Sequence, residues 1–182
     1  RIIENKKSVE SAKSAREIKL LITMKKLILF LLFLSFIYGF SQNLNLIKKE
    51  VEKINNSKNL KIKTVPNDYF VDVKNEVTDN GQELKGYYQN NQLKKITHSV
   101  GFSFWKIIRE YFYYKNELIF VLETKFQTND ENGFINNPKL IYKNSYYFNK
   151  NKLIKKIVKE TSDTIDFVKE ANELKDDLKN YK

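Results

Sequence analysis

Phe112-Tyr113-Tyr114-Lys115-Asn116-Glu117-Leu118 decides the fold, because the chain writes the same phrase twice more. The other two copies are Tyr87-Tyr88-Gln89-Asn90-Asn91-Gln92-Leu93 and Tyr147-Phe148-Asn149-Lys150-Asn151-Lys152-Leu153. Two aromatics, two variable residues, Asn, a polar residue and Leu align without gaps. Aromatic residues favour strands, and Asn tolerates the positive φ that a two-residue hairpin turn demands. Each phrase is expected to be one antiparallel hairpin, with Asn90-Asn91, Lys115-Asn116 and Lys150-Asn151 as the turn pairs.

Side chains alternate faces along a strand, so the register follows by counting outward from each turn. Tyr88 then faces Leu93, Tyr113 faces Leu118 and Phe148 faces Leu153. Each such pair contributes about 0.2–1 kcal/mol over an alanine pair. The same count places Tyr111, Phe120, Leu122, Tyr146 and Ile157 on the core face, and Ile108, Phe112, Ile119 and Val121 on the reverse. A strand pair that is apolar on both sides belongs at the centre of a sheet.

Outside the hairpins, Leu46, Ile47, Val51 and Ile54 recur at helical spacing, as do Phe167, Ala171, Leu174, Leu178 and Tyr181. Thr161-Ser162-Asp163 offers capping residues for the second helix. Lys61–Val65 and Tyr69–Val73 read as further strands, with Pro66-Asn67-Asp68 as the turn between them. The expected fold class is α+β: a curved antiparallel β-meander built from repeated hairpins, with an N-terminal and a C-terminal amphipathic helix.

The hairpins resemble those of MORN-type repeats, including exported bacterial proteins with similar repeats, where aromatic residues flank an Asn-Gly turn. Gln92, Glu117 and Lys152 stand where that Gly would be, and the phrases recur after 25 and 35 residues. The resemblance implies a binding or scaffolding surface.

Met24-Lys25-Lys26 supplies a positive n-region, Leu27 to Tyr38 an apolar run broken by Ser35, and Gly39-Phe40-Ser41 small residues at the two positions a signal peptidase reads. The apolar run is shorter than the ~20 residues a membrane-spanning helix needs. The expectation is a signal peptide over 24–41, an upstream segment 1–23 outside the native product, and one exported domain over 42–182. The whole chain carries a net charge of +11. Residues 42–182 hold 25 basic and 19 acidic side chains, a net +6. Absence of cysteine excludes disulfides, thiol catalysis, Cys-ligated metals and a lipidated cysteine after the signal. The product is expected in the periplasm or outside the cell, with no stable membrane anchor after cleavage and no cofactor. A Lys-, Asn- and Ile-rich chain whose signal ends in Ser41-Gln42-Asn43 resembles exported proteins of the Bacteroidota.

Three groups of residues have the chemistry for a site. His98, beside Ser99 and near Ser103, offers a base next to hydroxyls. No Gly-x-Ser-x-Gly elbow accompanies it, and the count places it at a strand end. The count also sets Glu110 opposite Val121 and Ile108 opposite Glu123, making the two glutamates diagonal neighbours on one face. A glycosidase needs its carboxyls roughly 5 to 9.5 Å apart across a cleft. Glu110 and Glu123, with His98 as helper, therefore define the alternative reading, a cell-envelope hydrolase. The plainer expectation is that Glu110 pairs with Arg109, Lys106 or another nearby lysine. Asn129-Asp130-Glu131-Asn132-Gly133 is rich in oxygen but lacks the ligand spacing of an EF-hand, so no metal site is expected.

The third group is aromatic. Tyr87 lies near Lys85 and Lys94 in sequence, and Phe104-Trp105-Lys106 joins a cation to the chain's one tryptophan. Stacking platforms beside cations suit nucleic acid or carbohydrate. A net charge of +6 lends little weight to nucleic acid, which is not expected as a partner. Gly101 amid Val100, Phe102 and Trp105 marks a bend or a close approach, and Trp105 is either core or the rim of a pocket. The leading expectation is a noncatalytic exported binding or interaction domain for an envelope protein, another envelope component or an apolar ligand. It leans against an enzyme.

Overall fold

The computed structural model describes residues 24–27, 29, 44–131, 133–160 and 165–182. The upstream segment 1–23, most of the signal-like stretch and the capping candidates Thr161, Ser162 and Asp163 lie outside them. The chain divides into Arg1–Asn45 and Leu46–Lys182. The second unit holds a seven-stranded antiparallel sheet in simple meander order. Its strands are β1 (Lys61–Val65), β2 (Gln82–Gln89), β3 (Gln92–Gly101), β4 (Trp105–Tyr114), β5 (Glu117–Asp130), β6 (Gly133–Asn149) and β7 (Lys152–Ile157). Helix α1 enters this unit at Leu46 and runs to residue 55, α2 spans Asn67–Asp72, and α3 spans Phe167–Asn180. No helix among the described residues is long and apolar enough to cross a membrane.

Three two-residue turns join β2 to β3, β4 to β5 and β6 to β7. Their central residues all take positive φ: 50° and 59° at Asn90-Asn91, 49° and 66° at Lys115-Asn116, 48° and 58° at Lys150-Asn151. Two successive positive φ values are the signature of the primed turn whose twist matches that of the flanking strands. Tyr88 pairs with Leu93, Tyr113 with Leu118 and Phe148 with Leu153, as the outward count requires.

One step further out, all three hairpins depart from the simple count. Tyr87 pairs with Lys95, Phe112 with Phe120 and Tyr147 with Lys155, each across a register shift. Lys94, Ile119 and Ile154 are the extra residues, and a bulge of this kind moves every later side chain on its strand to the other face. Val121 therefore joins Tyr111 on the α3 side, and Phe120 joins Phe112 on the reverse. This exchanges three of the faces expected from the sequence, because Leu122, paired with Glu110, also moves to the reverse. Ile157, expected in the core, lies half exposed on the edge strand β7, as does Leu153.

The core lies between the sheet and helices α2 and α3. Leu84, Ile96, Tyr111, Tyr113, Val121 and Tyr146 face Phe70, Phe167, Ala171, Leu174 and Leu178. Burying each large apolar side chain contributes about 1.5–3 kcal/mol. Gly86 is required here, since a Cβ on it would come within 2.8 Å of Leu178. Asp166 caps α3 by accepting from the backbone N–H of Val168 and Lys169 at 3.1 Å each. Asp177, one turn from the end, takes the Lys74 ammonium at 3.0 Å and the Tyr69 hydroxyl at 3.2 Å.

The Tyr69–Val73 segment is helical, not a strand. Pro66 occupies the N-cap position, where its missing N–H costs nothing, and Asp68 lies in the favourable first turn. The helix turns Phe70 into the core against His98. On the reverse of the sheet, Phe112, Phe120 and Tyr147 form a row of tilted ring contacts, with centroids 5.7 and 5.0 Å apart. Ile47 and Val51 of α1 share a groove with Phe120 and Tyr147, and Ile47 is buried.

Candidate functional site

The register sets one row of residues across the α3 face: Val65, Leu84, His98, Arg109, Glu123 and Asn144, each paired with the next. Glu123 is fully buried and accepts from Arg109 Nε at 2.8 Å. The same guanidinium reaches Glu170 of α3 through Nη1 at 3.0 Å. Although burial works against its charge, the carboxylates of Glu170 and Glu123 raise the Arg109 pKa. Asn144 donates to Glu160 O at 3.1 Å and accepts from Lys159 N at 2.9 Å, fastening the segment after β7 to the sheet. Tyr142 is pushed up to about 12 by burial first and by the Glu123 charge next.

Glu110 lies elsewhere. It pairs with Leu122, not Val121, and Glu123 pairs with Arg109, not Ile108. The bulge at Ile119 puts the two glutamates on opposite faces, so the diagonal pair expected from the sequence does not form. Glu110 instead makes a close ion pair with Lys95. His98 sits within β3, not at its end, buried beneath the Phe70 ring at 5.8 Å with Nε2 3.0 Å from Gln82 Oε1. Burial, aided by the Arg109 charge and opposed by Asp177, lowers its pKa to about 4. Glu110 thus stands apart on the reverse face, while His98 and Glu123 flank Arg109 on the α3 face. Among the described residues no group of three or more His, Asp or Glu could hold a metal ion.

Tyr87 and Trp105 are also apart. Tyr87 shares the reverse face with Phe112, and the ammonium lying over both rings is that of Lys95, at 5.5 and 5.1 Å from their centroids. Lys94 is the bulge residue and bonds Gln92, while Lys85 pairs with Glu83 within electrostatic reach of Tyr87, so of the two expected cations only Lys85 stays near that ring. Phe104 closes the β3–β4 loop and Trp105 begins β4 at the end of the sheet, 53 % and 40 % exposed. The Lys125 ammonium stands 4.2 Å from the Trp105 ring centroid.

Trp105 rims an open pocket of about 590 Å³. Three segments distant in sequence meet there: the loop 78–81, the loop 102–104 and the tip of the β5–β6 hairpin. Phe102, Trp105 and Phe134 supply aromatic wall, and Asn67, Asn80 and Asn129 supply amides. The loop between β3 and β4 is held from both sides. Asp79 accepts from the Ser103 backbone N–H at 3.0 Å and from its hydroxyl, and Asn80 Nδ2 donates to Phe102 O at 2.6 Å. On the other side Asn129 Nδ2 donates to Ser103 O at 2.7 Å, and Thr128 N to Phe104 O at 2.9 Å. Gly101 makes the approach possible, because a Cβ there would meet the Asn80 carbonyl oxygen at 2.7 Å. This is the close approach its place among aromatics suggested.

Sequence reasoning found Trp105 and Gly101 but missed Phe134, Asn67, Asn80 and Asn129 as wall residues. The available signal was the turn composition of Asp79-Asn80-Gly81 and of the 129–133 loop, which marks loops without saying that they converge. Compared with protein-family models, with curated proteins and with solved structures, the chain matches none.

Proposed function

We propose that residues 42–182 form an exported, noncatalytic binding domain, and that a component of the cell envelope engages the pocket around Trp105. The pocket carries this reading: about 590 Å³ is the size of a small-ligand site, and the 102–104 loop behind Phe102 is hydrogen-bonded from both sides before any ligand arrives. A preorganised wall spares the ligand the entropy of ordering the 102–104 loop. Export rests on Met24-Lys25-Lys26, the apolar run after it and Gly39-Phe40-Ser41. The likeness of the three hairpins to MORN-type repeats favours the same class of role.

The test is retention of envelope material. Purified protein is incubated with lipid, polysaccharide and soluble protein fractions from its own cells, beside the Phe134→Ala variant. Phe134 is 74 % exposed, so truncating it removes pocket wall and leaves the core intact. The expected outcome is a component retained by the wild type and lost from the variant. Identical retention by both would contradict the assignment of the site.

A further inference from the structure

The polar half of the pocket narrows the ligand class. Its aromatic residues are Phe102, Trp105 and Phe134, and the side chains between them are mostly neutral amides and hydroxyls. Asn67 Oδ1 and Asn80 Nδ2 are spent on the protein, on Gln82 N at 2.9 Å and Phe102 O at 2.6 Å. Each amide still has its second polar atom to offer, since Asn and Gln carry both donor and acceptor. The Thr128 hydroxyl is buried without a partner among the described residues. Only two charged residues line the pocket, Glu83 and Lys106, of opposite sign, and Glu83 is already paired with Lys85 at 2.6 Å.

A purely apolar ligand would cover these amides without bonding them, and each unpaired buried polar group costs about 1–3 kcal/mol. A cation would find the one carboxylate of the wall already paired, and an anion would find a single ammonium, Lys106, and no guanidinium. A pyranose ring satisfies both halves, with its C–H face against an aromatic ring and its hydroxyls donating to and accepting from amides. We infer that the Trp105 pocket binds a neutral saccharide. This rests on the binding role proposed above and adds the ligand class.

The sole tryptophan makes the pocket directly observable. In ¹⁵N-labelled protein, the one indole N–H resonance is followed while neutral trisaccharides of glucose and of N-acetylglucosamine are added, with the apolar dye N-phenyl-1-naphthylamine as a separate arm. The expected result is a saturable shift of the indole and of the Asn80 and Asn129 side-chain amides with at least one trisaccharide, in the range of about 1 mM or tighter. Trp105→Ala, followed through the Asn amides, should weaken binding about tenfold, the loss of one stacking contact. Phe134→Ala should weaken it several-fold with the strand resonances unmoved, so the result does not hinge on the fold tolerating loss of Trp105. If the dye moves the indole and no saccharide does, the saccharide class is wrong and the binding role stands. If neither does and no envelope fraction is retained, both are wrong.

Discussion

At position 109 a guanidinium lies between the fully buried Glu123 and the helical Glu170, joining sheet to helix by charge. Removing one partner of a buried pair leaves the other desolvated and uncompensated, at a cost of about 3–5 kcal/mol. Arg109→Met should lower unfolding free energy by that order in urea titration, and Arg109→Met/Glu123→Leu should lose less than Arg109→Met alone. A double variant as weak as the sum of the single ones would contradict the coupling. His98 gives the residue scale a pH signature. Its folded pKa of about 4 lies below its ordinary 6.5, so between these values the unfolded chain binds the proton more readily. The stability due to neutral His98 is whole above pH 6.5 and falls by about 3 kcal/mol as pH drops to 4. His98→Gln should flatten that part of the stability profile relative to wild type, and parallel profiles would contradict the burial argument.

Among the elements, the hairpins show what sequence can and cannot say. The turns and the first cross-strand pair were legible, because positive φ at Asn and the aromatic–Leu pair are local requirements. The bulges were not, because Leu118-Ile119-Phe120-Val121 is apolar throughout and suits either register, leaving packing to choose. The choice puts Val121 under α3 and Phe120 beside α1. From it follows the separation of Glu110 from Glu123, and the matching bulge at Lys94 in the first hairpin puts Lys95 over Tyr87. The strand expected at Tyr69–Val73 failed for a related reason: its apolar residues fit two periods, and Phe70 is buried only as part of a helix starting at Pro66. Turn chemistry also yields a prediction. Lys150 sits at φ 48°, a region that costs a non-glycine residue roughly 1 kcal/mol but that Asn tolerates. Lys150→Asn should raise stability by about 0.5–1 kcal/mol in chemical denaturation. No gain, with Asn90-Asn91 as the internal precedent, would contradict the turn assignment.

Over the molecule as a whole, the sheet separates two kinds of work. The α3 face carries the core and its buried ion pairs, while one end of the sheet gathers three loops around Trp105. The site was only partly legible for that reason: Trp105 and Gly101 announce themselves by composition, whereas Asn67, Asn80 and Phe134 reach the pocket through the meander's topology. That pocket is the proposed binding site, and Trp105 on its rim reports on it without a label. Acrylamide quenching of its fluorescence is measured as polysaccharide from the cell envelope is added to the full chain. Saturable protection of Trp105 in the wild type, requiring several-fold more polysaccharide in Phe134→Ala, is the predicted result. Quenching that stays unchanged at every concentration would contradict it.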